Sequence, residues 1–372
     1  MVPGPRHARA CSLSPAGIGI LAPAFQQGVS VPQDLRIALI GCGRQAPKHL
    51  SGLSTVPGVE VVLSDLHMEH AQELGREQNL PWATIDEVMA DDTVDAVDIC
   101  SPVASHAGLV RRAVEAGKDF FCEKPLCPEL AEARELEALV REHARIGMVG
   151  YIYRYAPAFI TGKRMMPDCR QGEVSRESPV LGPVLNASFR LGGAGNHKLW
   201  KHRRAEGGGA INEMLVHMVD LALWYFGEVE SAELLVDECM LPRRRFGDTE
   251  YDVDAEDFVL VRLRMASGVD VLCQADLMSP AFTQRMEIQG ENATLMGSIQ
   301  PDMPSFVYCK EGRGGYEAGT TPLDAGPVNL YETQMNLFAH AVRERDTTDL
   351  CTVEDSVRLL EVLEQIRSKR SL

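Results

Sequence analysis

A lysine and a histidine from distant parts of the chain have side chains suited to moving a proton. Lys124 stands in "DFFCEKPLC", directly after an apolar run and before a proline. His217 stands in "AINEMLVHMVDLALWYF", where Glu213 and Asp220 recur at helical spacing on the same face. An ammonium donates to a hydroxyl and polarises it, and an imidazole exchanges protons near neutral pH. These residue types indicate acid–base chemistry on a hydroxyl or carbonyl group.

Other interpretations of the same residues stay open at this stage. Lys124 could be a surface lysine at the end of a strand, and His217 could be a structural histidine of the core. Glu213 and His217 could also share a metal ion. One helix supplies only two good ligands, however, and the sequence has no evident second cluster, so we expect no metal site.

A strand–turn–helix pattern near the start of the chain predicts nucleotide binding. "LRIALIGCGRQAPKHL" contains a G-x-G-x-x-A turn between an apolar run and a helical segment. Glycines allow the tight turn and the approach of a pyrophosphate, and free amides at a helix start attract phosphate. Asp65 ends the next strand 24 residues after Gly41, where an acid binds ribose hydroxyls and repels a 2′-phosphate. The pattern predicts NAD rather than NADP, bound by Gly41, Cys42, Gly43, Arg44, Gln45 and Asp65.

These residues must be positioned by two kinds of sheet. Residues 34–150 alternate apolar strands with helical periodicity, which predicts a Rossmann domain with a doubly wound parallel sheet. Residues 151–372 contain one buried helix, several long alternating strands and two closing helices, which predicts an α+β domain with a large open, mostly antiparallel sheet. Residues 1–33 lack acidic residues, and we expect a disordered extension or an upstream start codon, with a secretory signal as the alternative.

Composition excludes several classes of protein. The 372 residues carry a net charge of −16, which disfavours nucleic-acid binding, and no run of 18 apolar residues predicts a membrane span. Ten cysteines occur without C-x-x-C spacing. This favours free thiols in a reducing compartment, so a cytoplasmic location is expected.

An ordered set of motifs resembles one enzyme family. Glu123-Lys124-Pro125, "CSPVASH", "GYIYRYAP" and the glycine triplet 207–209 before the His217 helix occur in order from about Leu35 to the C-terminus. Together they resemble the glucose–fructose oxidoreductase / inositol dehydrogenase / MocA (Gfo/Idh/MocA) family. The resemblance implies a Rossmann domain followed by an open-faced sheet, through which such proteins commonly form a homodimer or homotetramer.

The resemblance also implies roles for individual residues. His217, Lys124 and Glu213 would be catalytic, and a cis peptide often precedes the proline that follows such a lysine. Cofactor contacts would also come from Ser101, Pro102, His106, Glu123 and Lys124, and substrate contacts from Lys124, Tyr151, Arg154, Trp200, Glu213 and His217. Three positions depart from the family pattern: Glu213 replaces an aspartate, Leu215 a glycine and Ile152 an asparagine.

The expected function is an NAD(P)-dependent oxidoreductase. It would move a hydride between nicotinamide and a secondary alcohol or ketone of a sugar, cyclitol or similar polyol. Two alternatives remain: a hydrolase, lyase or epimerase that uses tightly bound NAD without net redox change, and a non-catalytic nucleotide-sensing protein.

Overall fold

A computed structural model describes residues 34–166, 175–195, 198–300, 302–323 and 329–370. The predicted extension, residues 1–33, lies outside the described residues. Within the described ranges, no helix combines the length and apolar character needed to cross a membrane. The eight cysteines described are free thiols, and Cys122 and Cys273 are buried in strands, as the sequence predicts.

The first sheet is parallel and has five strands in the order β2-β1-β3-β4-β5. Strand order reverses between β1 and β3, so their carboxyl ends open a crevice at the edge where ligands bind in such sheets. The prediction of a doubly wound sheet is confirmed. The strands are β1 (Leu35–Ile40), β2 (Val59–Ser64), β3 (Ala96–Ile99), β4 (Asp119–Cys122) and β5 (Gly147–Val149).

Helices cover both faces of this sheet and form two apolar cores. Leu53 packs with Ile37 on one face, and Val110 packs with Val97 on the other. Thr84 caps α3 through a capping box with Glu87, as its position predicts. The helices are α1 (Ala46–Leu53), α2 (Met68–Gln78), α3 (Ile85–Ala90), α4 (His106–Glu115) and α5 (Leu130–Glu142).

The second sheet has the order β16-β15-β14-β13-β7-β12-β11-β8, with β6 paired to β7. Every pairing is antiparallel except that of β7 with β12, which agrees with a mostly antiparallel sheet. Its strands are β6 (Glu177–Ser178), β7 (Gly182–Gly192), β8 (Val229–Glu238), β11 (Phe258–Met265), β12 (Asp270–Asp276), β13 (Thr283–Gly290), β14 (Ala293–Ser298), β15 (Phe306–Cys309) and β16 (Gly319–Pro322). A separate hairpin joins β9 (Arg243–Phe246) to β10 (Thr249–Asp252).

One face of this sheet is buried and the other is open. Residues alternate between buried and accessible along β11 and β13, the period expected of a half-covered strand. Phe189 of β7 stacks on Tyr225 of α7 (Val216–Phe226) on the covered side. A further helix, α6 (Pro157–Arg164), follows the crossover from the first sheet.

The last two helices return to the first sheet. Phe338 of α8 (Leu330–Glu344) packs in one core with Leu50 and Leu53 of α1, and the Thr352 cap of α9 (Val353–Arg367) bridges to Met148 of β5. The described residues from 34 to 370 consequently form one compact unit. The first sheet ends with β5 at Val149, and the domain boundary predicted at residue 150 stays a prediction.

Candidate functional site

The glycine turn has the shape that a pyrophosphate requires. Gly41 has φ +105°, and a Cβ there would lie 2.7 Å from the backbone nitrogen of Ser101. Only glycine avoids both the strain and the clash. Around Gly43, in contrast, no described atom other than those of its own residue and chain neighbours lies within 4 Å of the place where a Cβ would be. The crevice between β1 and β3 is therefore tight on one side and open where phosphates would approach the helix amides.

Asp65 lies beside this turn at the end of β2. Its Oδ2 accepts a hydrogen bond from the Cys42 backbone nitrogen at 2.7 Å, and its Oδ1 accepts one from that of His67 at 2.8 Å. The acid and the glycine turn are thus joined directly, although they are distant in sequence. Arg44 is exposed, and Gln45 is half-buried directly before α1. These residues fit a dinucleotide.

Hydrogen bonds within the loop formed by residues 101–105 hold it in place. The hydroxyl of Ser101 lies 2.7 Å from that of Ser105, and Pro102 precedes the short 3₁₀ turn that leads into α4. The ring nitrogens of His106 lie 2.8 Å from the carbonyl oxygen of Pro125 and 2.9 Å from that of Ser101. His106 therefore joins the two loops, and we omit it from the proposed direct cofactor contacts.

Lys124 extends from the carboxyl end of β4 across to the second half of the chain. Its Nζ donates to the backbone carbonyl of Glu213 at 3.3 Å. The Lys124–Pro125 peptide is cis, as the resemblance implies. The lysine thus connects the end of β4 to the turn that leads into the helix of His217.

The segment before His217 differs from the predicted single helix. Residues Ile211–Leu215 form a π-helical turn, and α7 begins only at Val216. Such wide turns occur frequently at functional sites. The carboxylate of Glu213 in this turn forms an ion pair with Lys201, whose ammonium lies 5.5 Å from the centre of the Trp200 ring. The helical spacing could not predict this pair.

Glycine 209, the last of the glycine triplet, explains how this turn is packed. Gly209 has φ +113°, and a Cβ there would lie 2.2 Å from Oε1 of Glu256. Glu256 is buried and accepts a hydrogen bond from the backbone nitrogen of Ile211 at 3.2 Å. Glycine is therefore needed at position 209 for a close approach of backbone to a buried carboxylate.

His217 is buried but incompletely bonded. Its Nδ1 has no hydrogen-bond partner among the residues that the structure describes. Burial, followed by the charges of Lys124 and Lys201, holds the pKa of His217 well below its ordinary value. The ring is neutral at physiological pH, as a proton acceptor must be. Its walls include Tyr153, whose ring centre is 4.6 Å away, and Tyr151, at 6.1 Å.

Arg154 and Asp220 form a buried ion pair. The guanidinium donates to Asp220 at 2.6 and 2.9 Å and to Asp355 at 2.8 Å, and its side chain is 4% exposed. Burial raises the pKa of Asp220 to about 6, although Arg154 opposes this. Since all its nitrogens bond to these carboxylates, Arg154 joins α7 to α9, and we omit it from the proposed substrate contacts. Asp220, three residues after His217 in α7, is thus engaged by Arg154.

The remaining predicted substrate residues lie at different depths. Tyr151 is 1% exposed, and its hydroxyl has no partner within the described ranges, so it forms an inner wall. Trp200 is 38% exposed at the rim.

Sequence reasoning missed Tyr153 and a buried junction around His49. Tyr153 alternates with the two tyrosines that flank it, and nothing in the sequence distinguishes which ring faces His217. His49, Asp98 and Cys100 present ligand atoms within 4.8 Å of one another, the one such three-residue group in the part of the chain described. An available signal was Asp98 itself, a charged residue inside the apolar strand "VDAVDIC".

Comparison with protein families gives two matches along the chain. Residues 35–151 match the family described as "Oxidoreductase family, NAD-binding Rossmann fold". Residues 177–296 match the Gfo/Idh/MocA C-terminal domain. The matched segments contain the first sheet, most strands of the second sheet, and both Lys124 and His217.

Several characterised or solved proteins are similar over most of their length. The scyllo-inositol 2-dehydrogenase (NAD(+)) of Bacillus subtilis is 31% identical over 334 residues, covering 87% of this chain and 91% of that protein. Inositol 2-dehydrogenase of Rhizobium meliloti is 27% identical over 274 residues, covering 72% and 76%. A levoglucosan dehydrogenase solved with NADH and L-sorbose superposes with a TM-score of 0.76 at 21% identity, covering 90% of this chain and 96% of that one. The last similarity shows the fold.

Proposed function

The chain belongs to the Gfo/Idh/MocA family of NAD-binding oxidoreductases, and from this premise we propose that it oxidises or reduces a polyol-like substrate. The reacting group would be a secondary alcohol or ketone of a sugar, a cyclitol or a related small molecule. The relatives named inositol dehydrogenases support this substrate class. NAD, when bound, supplies the hydride acceptor or donor.

The observation that carries the proposal is the meeting of Lys124 and His217 beside the nucleotide crevice. Lys124 reaches the helix turn of Glu213, and its charge acts on the pKa of His217. Lys124 follows strand β4 and His217 lies on helix α7, 93 residues apart in sequence. Their convergence supports a shared task at one reacting oxygen.

The chain's own residues would manage the proton and the orientation. His217 is neutral and would take the hydroxyl proton during oxidation, returning it during reduction. The Lys124 ammonium would donate a hydrogen bond to the same oxygen and stabilise negative charge on it. Tyr153, packed against the imidazole, would fix the ring and flank the substrate. The contribution of the protein is thus positioning and proton transfer.

We also propose that the open face of the second sheet binds another copy of the chain. Leu272 and Tyr308 on this face are 41% and 50% exposed. Large exposed apolar side chains on a broad sheet favour a closed symmetric oligomer, either a dimer or a tetramer.

The function is tested with a panel of cyclitols, sugars and polyols, each supplied with NAD or NADP and followed by the absorbance of reduced nicotinamide. We expect turnover on at least one cyclitol or sugar, with NAD preferred. Lys118 provides a matched control for Lys124: it is a buried lysine at the opposite end of β4, bonded to the carbonyl oxygens of Asp91 and Val94. Activity that Lys124→Ala abolishes and Lys118→Ala spares supports the proposal. A protein that binds NAD but turns over no substrate contradicts it.

A further inference from the structure

A buried histidine beneath the crevice has a charge state fixed by its neighbours. His49 on α1 has no exposed side-chain surface, and both ring nitrogens face carboxylates. Nδ1 lies 3.0 Å from each oxygen of Asp98, and Nε2 lies 2.9 Å from Oε1 of Glu123. Because ionised carboxylates only accept hydrogen bonds, both ring nitrogens must carry protons. With both carboxylates ionised, this geometry places an imidazolium between them, and we call this group the His49 junction.

The groups around the imidazole favour this charge. Asp98 and Cys100 face it from β3, with the Cys100 sulfur 3.2 Å from Nδ1, and Glu123 faces it from the end of β4. Tyr331 of α8 covers the ring, with centres 5.6 Å apart. Burial opposes a charged ring, but Asp98 holds the pKa of His49 well above its ordinary value. An unpaired charge at this depth would be strongly destabilising.

Glu123 connects this junction to the proposed catalytic lysine. While Oε1 binds His49, Oε2 accepts the backbone N–H of Lys124 at 3.1 Å. Burial opposes ionisation of Glu123, yet its contacts with His49 and Lys124 hold its pKa below the ordinary value. The carboxylate therefore stands between the imidazolium and the backbone from which the Lys124 side chain extends.

We propose that His49 is a positioning residue for the reaction: it holds Glu123 as a carboxylate, and Glu123 fixes the backbone that aims Lys124 at the substrate. The proposal rests on the proposed function for the role of Lys124. The rival interpretation is a metal ion held by His49, Asp98 and Cys100. A metal would require a deprotonated nitrogen about 2.0–2.1 Å away, where the structure has a hydrogen bond to Asp98.

The charge state is tested without any substrate, by NMR of the whole protein labelled with ¹⁵N in its histidines. We expect both ring nitrogens of His49 to show protonated shifts from pH 6 to pH 9, assigned by their loss in His49→Gln. A bare or metal-bound nitrogen at pH 7 would overturn the proposal. This result is independent of the substrate, so it separates failure of the inference from failure of the proposed function.

The positioning role is tested by kinetics of two variants on the substrate found in the panel. His49→Gln should lower kcat by about ten- to a hundredfold, the effect of a small misplacement, while NAD binding is retained. The acid limb of the pH–rate profile of this variant should move to higher pH. Glu123 has lost the imidazolium that keeps it ionised, so it becomes protonated at a higher pH. Glu123→Gln should show a similarly low kcat without the shift of the acid limb. The variant that carries both substitutions should have a kcat no lower than that of either single variant. Wild-type kcat and pH profile in His49→Gln, with only a lower Tm, would overturn the role; if that variant does not fold, wild-type kcat in Glu123→Gln would overturn it.

Discussion

The ammonium of Lys201 forms an ion pair with the carboxylate of Glu213, one turn before His217. Both side chains are mostly buried, at 16% and 14% exposure. Glu213 is one methylene longer than the aspartate usual in this family. It contacts a lysine that directly follows Trp200 in the sequence. Glu213, which departs from the family pattern, therefore has an ion-pair partner in Lys201.

This pair predicts the effect of restoring the shorter acid. Glu213→Asp should weaken the contact with Lys201 and lower kcat/KM by about tenfold, since a hydrogen bond to a charged group contributes about 1.5–3 kcal/mol. The control is Glu206→Asp, which alters the exposed ion pair with Arg203. An exposed ion pair contributes only about 0–1 kcal/mol to stability. Steady-state kinetics on the active polyol decide between them. Unchanged or raised activity in Glu213→Asp would mean that Lys201 does not set the geometry of the site.

The second prediction concerns Lys124 and His217 as a unit. Lys124→Ala and His217→Ala should each lower kcat by about 10²–10⁴-fold and leave NAD affinity nearly intact. The double variant should be little worse than the worse single variant, because residues that act on one oxygen are not additive. Turnover and fluorescence titration with NADH give the two quantities. Full activity in Lys124→Ala would remove the lysine from the mechanism.

The third prediction concerns cofactor choice. Asp65→Asn keeps the size of the side chain and an acceptor for the Cys42 amide but removes the charge that repels a 2′-phosphate. The preference for NAD over NADP should shrink by about tenfold, measured as the ratio of dissociation constants. Asp65→Ala should reduce the preference for NAD similarly. It should also lower the melting temperature, because the Cys42 amide in the glycine turn loses its hydrogen-bond acceptor. Tighter binding of NADP than NAD by the wild type would refute the assignment of Asp65.

The fourth prediction concerns stability at acid pH. The pKa of His217 is lowered in the folded protein, so below about pH 6.5 the unfolded chain binds a proton that the folded protein does not. His217 therefore adds stability above that pH, and this stability is lost as the pH falls towards the folded-state pKa. The free energy of unfolding, measured with urea from pH 4 to 8, should fall less steeply towards acid pH in His217→Asn than in the wild type. The two slopes should differ by up to about 1.4 kcal/mol per pH unit. His143→Asn, at an exposed histidine, is the control and should keep the wild-type slope.

The fifth prediction concerns assembly. Light scattering at micromolar concentration should give the mass of a dimer or tetramer, and Leu272→Glu combined with Tyr308→Glu should reduce it to that of a monomer. Charges placed on an apolar contact surface are costly to bury. Leu66→Glu, at an exposed loop residue outside the second sheet, should leave the mass unchanged. A monomeric wild type would count against the proposed interface.

The sequence predicted the first sheet well because its signals are local. Each of the five strands is an apolar run followed by turn residues, and the glycine turn lies directly after the first of them. Strand β7 was missed because "GPVLNASFRLG" mixes polar and apolar residues and owes its place to neighbours more than 70 residues away, including the parallel β12. Pairing of this kind depends on tertiary contacts rather than on propensity.

The proposed site shows the same division. Lys124 and His217 were identified because their types and local context are informative. The ion pair of Arg154 with Asp220 was not foreseen, because an arginine that binds the substrate and one that binds a carboxylate of the core look alike in sequence. The π-helical turn at Glu213 was also invisible, since it changes hydrogen bonding without changing residue types.

The packing of α8 on α1 has a consequence for synthesis on the ribosome. Phe338 and Met335 cover the apolar side of the helix that follows the glycine turn, where Gly52 lets the Tyr331 backbone approach. A nascent chain that has emerged only as far as the second sheet therefore exposes Leu50 and Leu53 to solvent. The nucleotide-binding half is translated first but is completed almost last, and until residues 330–344 emerge its uncovered helix is a surface that chaperones recognise.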